Sequence, residues 1–344
     1  MFFDQKIGKI LLSVLLAVMV ITLVSCEKIM KPIDAFEQNK RLGRGVNIIG
    51  YDSIWEDFEQ GRFKEKHFSI IKEGGFSTVR INLFPFAYMD STNQYKLDES
   101  WLQTLDWAVN NAVENDLMAI IDFHEFIVLA KNPEEHKDAF LAFWRQISSR
   151  YKDLPSSVLF EILNEPNSDL TPELWTEYMM QAYDIIRDSN PNRTLVIGPP
   201  FWNSIEHLED LILPEEDRNI IVTVHYYHPM EFTHQGAPWA DNYVGLSGIT
   251  WRGTEEQKNA VMEDFAVAQE WALKHNRPLL LGEFGAYEKA DLESRKIYTN
   301  FIARTAEELG WSWTYWQFDS DFIVYDIDKD QWYQPIYDAL IPKK

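Results

Sequence analysis

The sequence predicts a single-domain (β/α)8 barrel, also called a TIM barrel, because short apolar runs alternate with longer amphipathic segments. Such alternation is typical of a parallel sheet buried on both faces, and eight strand–helix units close into a barrel. An open doubly wound sheet would carry a glycine-rich turn after its first strand, whereas Gly43 and Gly45 lie at the beginning of that strand. The eight runs are residues 45–49, 77–82, 118–123, 158–163, 194–198, 220–226, 278–284 and 312–317.

The segments between these runs have the apolar spacing of helices that pack on a sheet. Between the second and third runs the repeating residues are Trp101, Leu105, Ala108 and Ala112, and between the third and fourth they are Phe140, Phe143, Trp144 and Ile147. Intervals of three and four residues put these side chains on one helical face.

The N-terminus predicts a lipoprotein signal peptide. Lys6 and Lys9 precede an apolar run over residues 10–24, and Leu-Val-Ser then leads to Cys26. This ending resembles a bacterial lipobox, in which the cysteine is acylated and becomes the mature N-terminus. The alternative is a membrane-spanning anchor, but a run of about 15 apolar residues is shorter than the roughly 20 that a span needs.

We therefore divide the chain into three parts: a signal peptide over residues 1–26 with lipidation at Cys26, a polar tether over 27–40, and the barrel domain over 41–344. We expect the protein to be lipid-anchored in the bacterial cell envelope, in the periplasm or on the outer surface.

Composition limits the possible partners. The chain has 54 acidic and 32 basic residues and a net charge of −22, which would repel a nucleic-acid backbone but not a neutral polymer. A single cysteine excludes an intramolecular disulfide. We expect a monomer that binds polysaccharide, binds no nucleic acid, and contacts the membrane only through the lipid anchor.

Polar and aromatic side chains collect at the predicted carboxyl ends of the strands, where barrel enzymes have their active sites. In chain order they are Arg80, Asn82, His124, Glu125, Asn164, Glu165, His225, Tyr227, Glu283 and Trp316. Because burying a charge without a partner is costly, a rim this rich in ionisable groups indicates function.

Two of these residues, Glu165 and Glu283, suit glycoside hydrolysis by double displacement. One carboxylate attacks the anomeric carbon, while the other donates a proton to the leaving oxygen and later deprotonates water. The two groups therefore need different environments. Arg80 is the positive charge that we expect beside Glu283.

The motifs around these residues resemble glycoside hydrolase family 5, the cellulase and mannanase family of clan A. Residues 161–166 read EILNEP, and residues 281–285 read LGEFG. The further matches are Arg80 in VRIN, His124 in IDFH, His225 and Tyr227 in HYY, and Trp316 in TYWQF. The stretches EFTHQGAPW and GEFGAYEKADLESR are similar to bacterial endo-β-1,4-glucanases, some of which also cut β-mannan.

The resemblance implies a retaining, endo-acting enzyme with Glu165 as acid/base and Glu283 as nucleophile, without a metal or another cofactor. The substrate-binding residues that it implies are Arg80, His124, Asn164, His225, Tyr227, His234, Trp239 and Trp316. Among them, Asn164 would bond the sugar 2-hydroxyl, Tyr227 would bond the nucleophile, and Trp316 would stack beneath the sugar.

Two places depart from the family pattern. Relatives often have two adjacent histidines where this chain has His124 and Glu125, and a Gly-Asn loop where it has residues 49–55. Both places border the subsites on the non-reducing side, so the choice among β-glucan, glucomannan, mannan and xyloglucan stays open. The loop and strand-end tryptophans expected as sugar platforms are Trp55, Trp202, Trp239 and Trp316.

Two alternatives belong to other functional classes. A non-catalytic glycan-binding barrel at the cell surface would keep its aromatic residues while losing a glutamate, but both glutamates are present. A metal-dependent barrel hydrolase would draw its ligands from His124, Glu125, His225 and His228, but no strand carries a His-x-His or His-x-x-x-His pair.

Overall fold

Eight parallel strands close into a barrel in the computed structural model, which describes residues 34–343. The strands are β1 (Arg44–Ile48), β2 (Thr78–Leu83), β3 (Met118–Phe123), β4 (Val158–Glu161), β5 (Leu195–Ile197), β6 (Ile220–Tyr226), β7 (Leu279–Phe284) and β8 (Ser312–Tyr315). Each strand pairs with the next along the chain, and β8 pairs with β1 to close the barrel. The predicted (β/α)8 barrel is confirmed, and each predicted apolar run overlaps one strand.

Helices surround the barrel. They are α1 (Ala35–Leu42), α2 (Lys66–Glu73), α3 (Glu99–Glu114), α4 (Pro133–Arg150), α5 (Pro172–Ser189), α6 (Glu255–His275), α7 (Leu292–Glu308) and α8 (Gln334–Leu340). The apolar residues that predicted α3 and α4 are all buried, which confirms the helical spacing.

Shorter elements lie in the connections. Helical segments cover Phe126–Lys131, Pro200–Asn203 and Met230–Thr233, and 3-10 turns cover Ser53–Trp55, Phe58–Gln60, Phe86–Tyr88, Ser91–Asn93 and Ile205–Asp210. Two small antiparallel ribbons pair Met89–Asp90 with Lys96–Leu97 and Tyr325–Asp326 with Gln331–Trp332.

The first helix, α1, begins within the segment that was predicted to be a polar tether. The side chain of Gln38 donates to the backbone oxygen of Ser156 at 2.6 Å, and Asn39 Oδ1 accepts from Ser312 Oγ at 2.6 Å. Residues 35–40 therefore belong to the folded domain, and extending the tether to residue 40 is wrong. Polar residues occupy part of the buried helical face, so this helix lacks the apolar period by which the others were predicted.

The apolar side chains of α1 close the amino-terminal end of the barrel. Ala35 and Leu42 are buried in a small core formed with Met118, Ile120, Leu159, Val196, Ile221 and Leu280. These partners come from the beginnings of five strands, so α1 fills the barrel mouth opposite the catalytic face.

The predicted signal peptide, its lipidation site Cys26 and residues 27–33 of the predicted tether lie outside the described residues. Within residues 34–343, no helix has the length and apolar character needed to cross a membrane.

Replacing Leu42 by Ala should lower the free energy of unfolding by about 2–5 kcal/mol, because it leaves a cavity in the core under α1. Phe36, on the same helix but 46% exposed, is the matched control, and its replacement by Ala should cost no more than about 0.5 kcal/mol. Denaturant titration of both variants measures the difference. Equal losses would mean that α1 is not part of the cooperative core.

Candidate active site

The centre of the site is Arg80, which projects from β2 and has no exposed surface. Its Nε and Nη2 bond the two oxygens of Glu161 at 2.7 and 2.8 Å. Nη1 donates to Glu283 Oε1 and Asn47 Oδ1, both at 2.8 Å, while Nη2 also donates to Asn164 Oδ1 at 2.8 Å. The expected pairing of Arg80 with Glu283 is confirmed. The expectation that Arg80 contacts substrate is wrong, because its guanidinium is enclosed by these partners.

Sequence reasoning missed three residues of this network. Glu161 and Asn47 bond Arg80 directly, and Asp122 Oδ2 lies 3.1 Å from Arg80 Nη2. All three are fully buried. The sequence signal that could have identified them is a polar residue within an otherwise apolar strand, because such a residue needs a buried partner.

Glu283 is oriented through both of its carboxylate oxygens. Oε1 accepts from Arg80, and Oε2 accepts from the hydroxyl of Tyr227 at 3.0 Å. The contact that the resemblance implied for Tyr227 is therefore present in the structure.

A β-bulge between β6 and β7 brings His225, the hydrogen-bond partner of Glu165, toward Glu283. The pairing shifts so that His225 lies opposite Glu283, and Gly282 is the extra residue on β7. A Cβ on Gly282 would lie 2.4 Å from Thr223 Oγ1 and 2.9 Å from His225 Nε2. Only glycine fits here without displacing the histidine.

Glu165 differs in its environment from Glu283. Its Oε1 lies 2.7 Å from His225 Nδ1, and burial raises the pKa of Glu165 to about 7. Burial also lowers the pKa of His225 to about 3, so this imidazole is neutral at pH 7. The Asn203 amide lies 3.3 Å from His225 Nε2 and donates to it, so Nδ1 carries the proton and donates to Glu165.

The backbone of the acid/base candidate is also unusual. Glu165 has φ 39°, a left-handed conformation that non-glycine residues rarely adopt. Trp202 and Asn203, in the loop after β5, have φ 67° and 53°. Strained residues of this kind concentrate at active sites, where the surrounding contacts hold them in place.

The two glutamates are close enough for double displacement. Glu165, His225 and Glu283 each offer a side-chain oxygen or nitrogen, and these atoms lie within 4.8 Å of one another. Retaining glycosidases have carboxyl groups about 5–5.5 Å apart, whereas inverting enzymes leave about 6.5–9.5 Å for a water molecule.

Aromatic rings form the floor of the site. Trp316 follows β8, and its ring is nearly parallel to that of His124, at 10° with centroids 5.5 Å apart. His124 Nδ1 lies 2.5 Å from Asp122 Oδ2. Asn164 Nδ2 lies 3.4 Å from His124 Nε2, so the structure brings His124, Asn164 and Trp316 together, as predicted.

The loop after β6 carries the remaining predicted contacts. His234 packs edge-on against Tyr227 with centroids 5.0 Å apart, and burial lowers the pKa of His234 to about 4. Trp239 is 51% exposed and packs against Tyr287.

Of the other two tryptophans predicted as sugar platforms, one is exposed and one is buried. Trp202 is 46% exposed beside Phe126, which leaves its ring available to a ligand. Trp55 is buried against Trp101 and donates through Nε1 to the backbone oxygen of Ile49 at 2.6 Å, so its prediction as a sugar platform is wrong.

The proposed metal ligands do not form a cluster in the described part of the chain. The group there with metal-ligand spacing consists of Glu165, His225 and Glu283, and includes neither His124 nor His228. Glu125 instead accepts from the backbone nitrogen of Phe86 at 3.3 Å.

The sequence matches the family described as cellulase (glycosyl hydrolase family 5) over residues 40–321. The chain belongs to glycosyl hydrolase family 5. Membership in this family, with both glutamates in one site, favours a catalytic role over a glycan-binding barrel or a metal-dependent hydrolase.

Relatives in family 5 include endoglucanase H of Acetivibrio thermocellus, 29% identical over 321 residues, and endoglucanase 3 of Fibrobacter succinogenes, 27% identical over 343 residues. These alignments cover 90% and 84% of this chain but 34% and 51% of the relatives. The chain thus spans between a third and about half of their length.

Among solved structures, endoglucanase Cel5A from the hyperthermophilic Thermotoga maritima is 42% identical, with a TM-score of 0.85. The match covers 90% of this chain and 100% of that one. Cel5A structures have been solved in complex with cellobiose and with mannotriose.

The environment of Glu165 predicts a pH dependence. If Glu165 donates a proton to the leaving group, kcat/KM should fall as the pH rises through about 7, because the donor loses its proton there. The Glu165→Ala variant, assayed on an aryl glycoside whose acidic phenol needs no protonation, should lack this basic limb. Persistence of the limb in the variant would assign it to another group.

Proposed function

We propose that the protein is a retaining endo-β-1,4-glucanase with Glu165 as acid/base and Glu283 as nucleophile. The observation that carries this proposal is the spacing of the two glutamates, whose facing atoms lie within 4.8 Å. That spacing suits direct attack on the sugar and is shorter than the roughly 6.5–9.5 Å that separates the carboxyl groups of inverting enzymes.

In the first step, Glu283 attacks the anomeric carbon while the bond to the leaving oxygen breaks. Glu165 transfers its proton to that oxygen, and a covalent glycosyl-enzyme forms. In the second step, Glu165 takes a proton from water, which attacks the anomeric carbon and releases Glu283. The neutral His225 can donate its Nδ1 proton in a hydrogen bond to Glu165, which stabilises this carboxylate after the first transfer.

A β-1,4-linked backbone is supported by the relatives and by the distribution of aromatic side chains. Curated relatives are named endoglucanases, and Cel5A binds cellobiose and mannotriose. Exposed rings lie in two loops: Trp202 follows β5, and Trp239 follows β6. Platforms on separate loops suit a chain that passes through the site, as endo cleavage requires.

Endo cleavage should make the viscosity of a soluble β-1,4-glucan fall much faster than reducing ends appear. The experiment uses the purified protein on unbranched glucan, mannan and xyloglucan, with product sizing, and we expect the highest kcat/KM on glucan. Monosaccharide as the only early product would exclude endo action. A preference for mannan or xyloglucan would change the substrate but not the mechanism.

The two glutamates should have different stereochemical signatures. Glu165→Ala should lower the rate on unactivated glucan by about 10²–10⁴-fold, because the proton donor is lost. On an activated aryl glycoside with azide, it should still form the glycosyl-enzyme and give the β-glycosyl azide. Glu283→Ala forms no such intermediate, and azide should give the α-azide.

Proton NMR distinguishes the two azide products. Exchange of the signatures between the variants would reverse the roles of the glutamates. Inversion of configuration by the unmodified enzyme would exclude the retaining mechanism.

We further propose that Cys26 is acylated and that the protein is anchored in the cell envelope. Support comes from the basic residues, the apolar run and the Leu-Val-Ser that precede this cysteine. The native protein should fractionate with membranes and carry lipid at Cys26, and Cys26→Ser should carry none. Mass spectrometry that finds an unmodified N-terminus beyond Cys26 would exclude the anchor.

A further inference from the structure

A strained segment after β5 buries one of its side chains against His225. Phe201, Trp202 and Asn203 are consecutive residues with φ of 55°, 67° and 53°. Non-glycine residues adopt this left-handed conformation singly, so three in succession are costly and persist only where the surrounding contacts enforce them. The first two side chains are exposed, and that of Asn203 is fully buried.

Contacts with the end of β5 and with the loop of the acid/base hold this segment in place. The backbone nitrogen of Trp202 donates to the oxygen of Pro166, next to Glu165, at 3.0 Å. The Asn203 side chain packs on Gly198, where a Cβ would lie 2.0 Å from Asn203 Oδ1. Because any larger residue at position 198 would displace the amide, this glycine fixes where the Asn203 side chain lies.

The Asn203 amide contacts the ring nitrogen of His225 that does not face Glu165. Asn203 Nδ2 lies 3.3 Å from His225 Nε2, whereas His225 Nδ1 lies 2.7 Å from Glu165 Oε1. A neutral imidazole has one N–H and one acceptor nitrogen, so a donor at Nε2 keeps the proton on Nδ1. In that tautomer His225 donates to Glu165 and stabilises its ionised form. In the other tautomer Nδ1 would accept from protonated Glu165 and stabilise the acid form instead.

Other titratable groups surround Glu165 and His225, but their contacts differ from that of Asn203. They are Arg80, Asp122, His124, Glu283, Tyr51 and Tyr227. The carboxylates belong to the buried network of Arg80, and the two phenols are neutral at pH 7. Glu283 Oε2 lies 3.7 Å from His225 Nδ1. Among the described residues, the hydrogen-bond partner of His225 Nε2 is Asn203.

We propose that Asn203 is a positioning residue that holds His225 in the tautomer that donates to Glu165. The carboxylate that forms as Glu165 gives its proton to the leaving oxygen then meets an N–H that is already in place. His225 keeps its own proton throughout. This inference rests on the proposed acid/base role of Glu165.

Asn203→Gly removes the amide and suits the left-handed backbone, so it tests the contact without adding strain. On cellopentaose, whose leaving group needs a proton, kcat/KM should fall on the order of tenfold, because Glu165 loses its fixed partner. On a nitrophenyl β-cellobioside, whose leaving group needs none, kcat/KM should be unchanged. The basic limb on cellopentaose should move to higher pH by about 0.5–1 unit, because the acid form of Glu165 gains a hydrogen bond.

Asn190→Ala is the matched control, because Asn190 is also a buried amide and donates to the backbone oxygen of Ser148 at 2.8 Å, at the end of α5. This variant should lower the free energy of unfolding but change neither the ratio of the two kcat/KM values nor the basic limb. Equal losses on both substrates in Asn203→Gly, or a basic limb that does not move, would overturn the proposal.

Nitrogen-15 NMR of the unmodified protein gives a second measurement that does not depend on how the variant folds. The imidazole signals of His225 are assigned by their loss in His225→Asn. At pH 6, where Glu165 with its pKa of about 7 is largely protonated, we expect the proton on Nδ1. A proton on Nε2 would overturn the proposal. Failure of the unmodified protein to hydrolyse either substrate would instead reject the proposed function.

Discussion

The buried guanidinium of Arg80 is the interaction on which the catalytic site depends. It faces the carboxylates of Asp122, Glu161 and Glu283, and none of these side chains is more than 6% exposed. Buried charges are tolerated only when they are paired and hydrogen-bonded, so removing the arginine would leave several carboxylates without compensation. The nucleophile therefore takes its position from the same network that makes its burial possible.

Barrel closure makes this network possible, because Arg80, Glu161 and Glu283 are far apart in sequence. Parallel strands in a closed sheet bring their carboxyl ends to one face, and side chains from several strands then meet above a packed interior. At the opposite end, α1 closes the barrel with an apolar contact. The barrel thus has buried charged groups at its catalytic end and an apolar core at the opposite end.

Strand periodicity and strand-end chemistry were enough to predict the barrel, both glutamates and the contact of Arg80 with Glu283. Asp122 and Glu161 were not recognised because the role of a polar residue within an apolar run can be assigned only when its partner on another strand is known. Burial of Trp55 was missed for a related reason: the exposure of a loop side chain depends on which helix the loop packs against. These are tertiary effects, and local patterns do not encode them.

The left-handed backbone at Glu165 has a consequence for the balance between stability and activity. A non-glycine residue in such a conformation costs about 1–3 kcal/mol, and Trp202 and Asn203 add similar strain nearby. Native domains have a net stability of only about 5–15 kcal/mol, so this strain is a substantial fraction of it. The barrel core must supply the difference, and selection for thermal stability alone would act against the backbone geometry that directs Glu165 into the cleft.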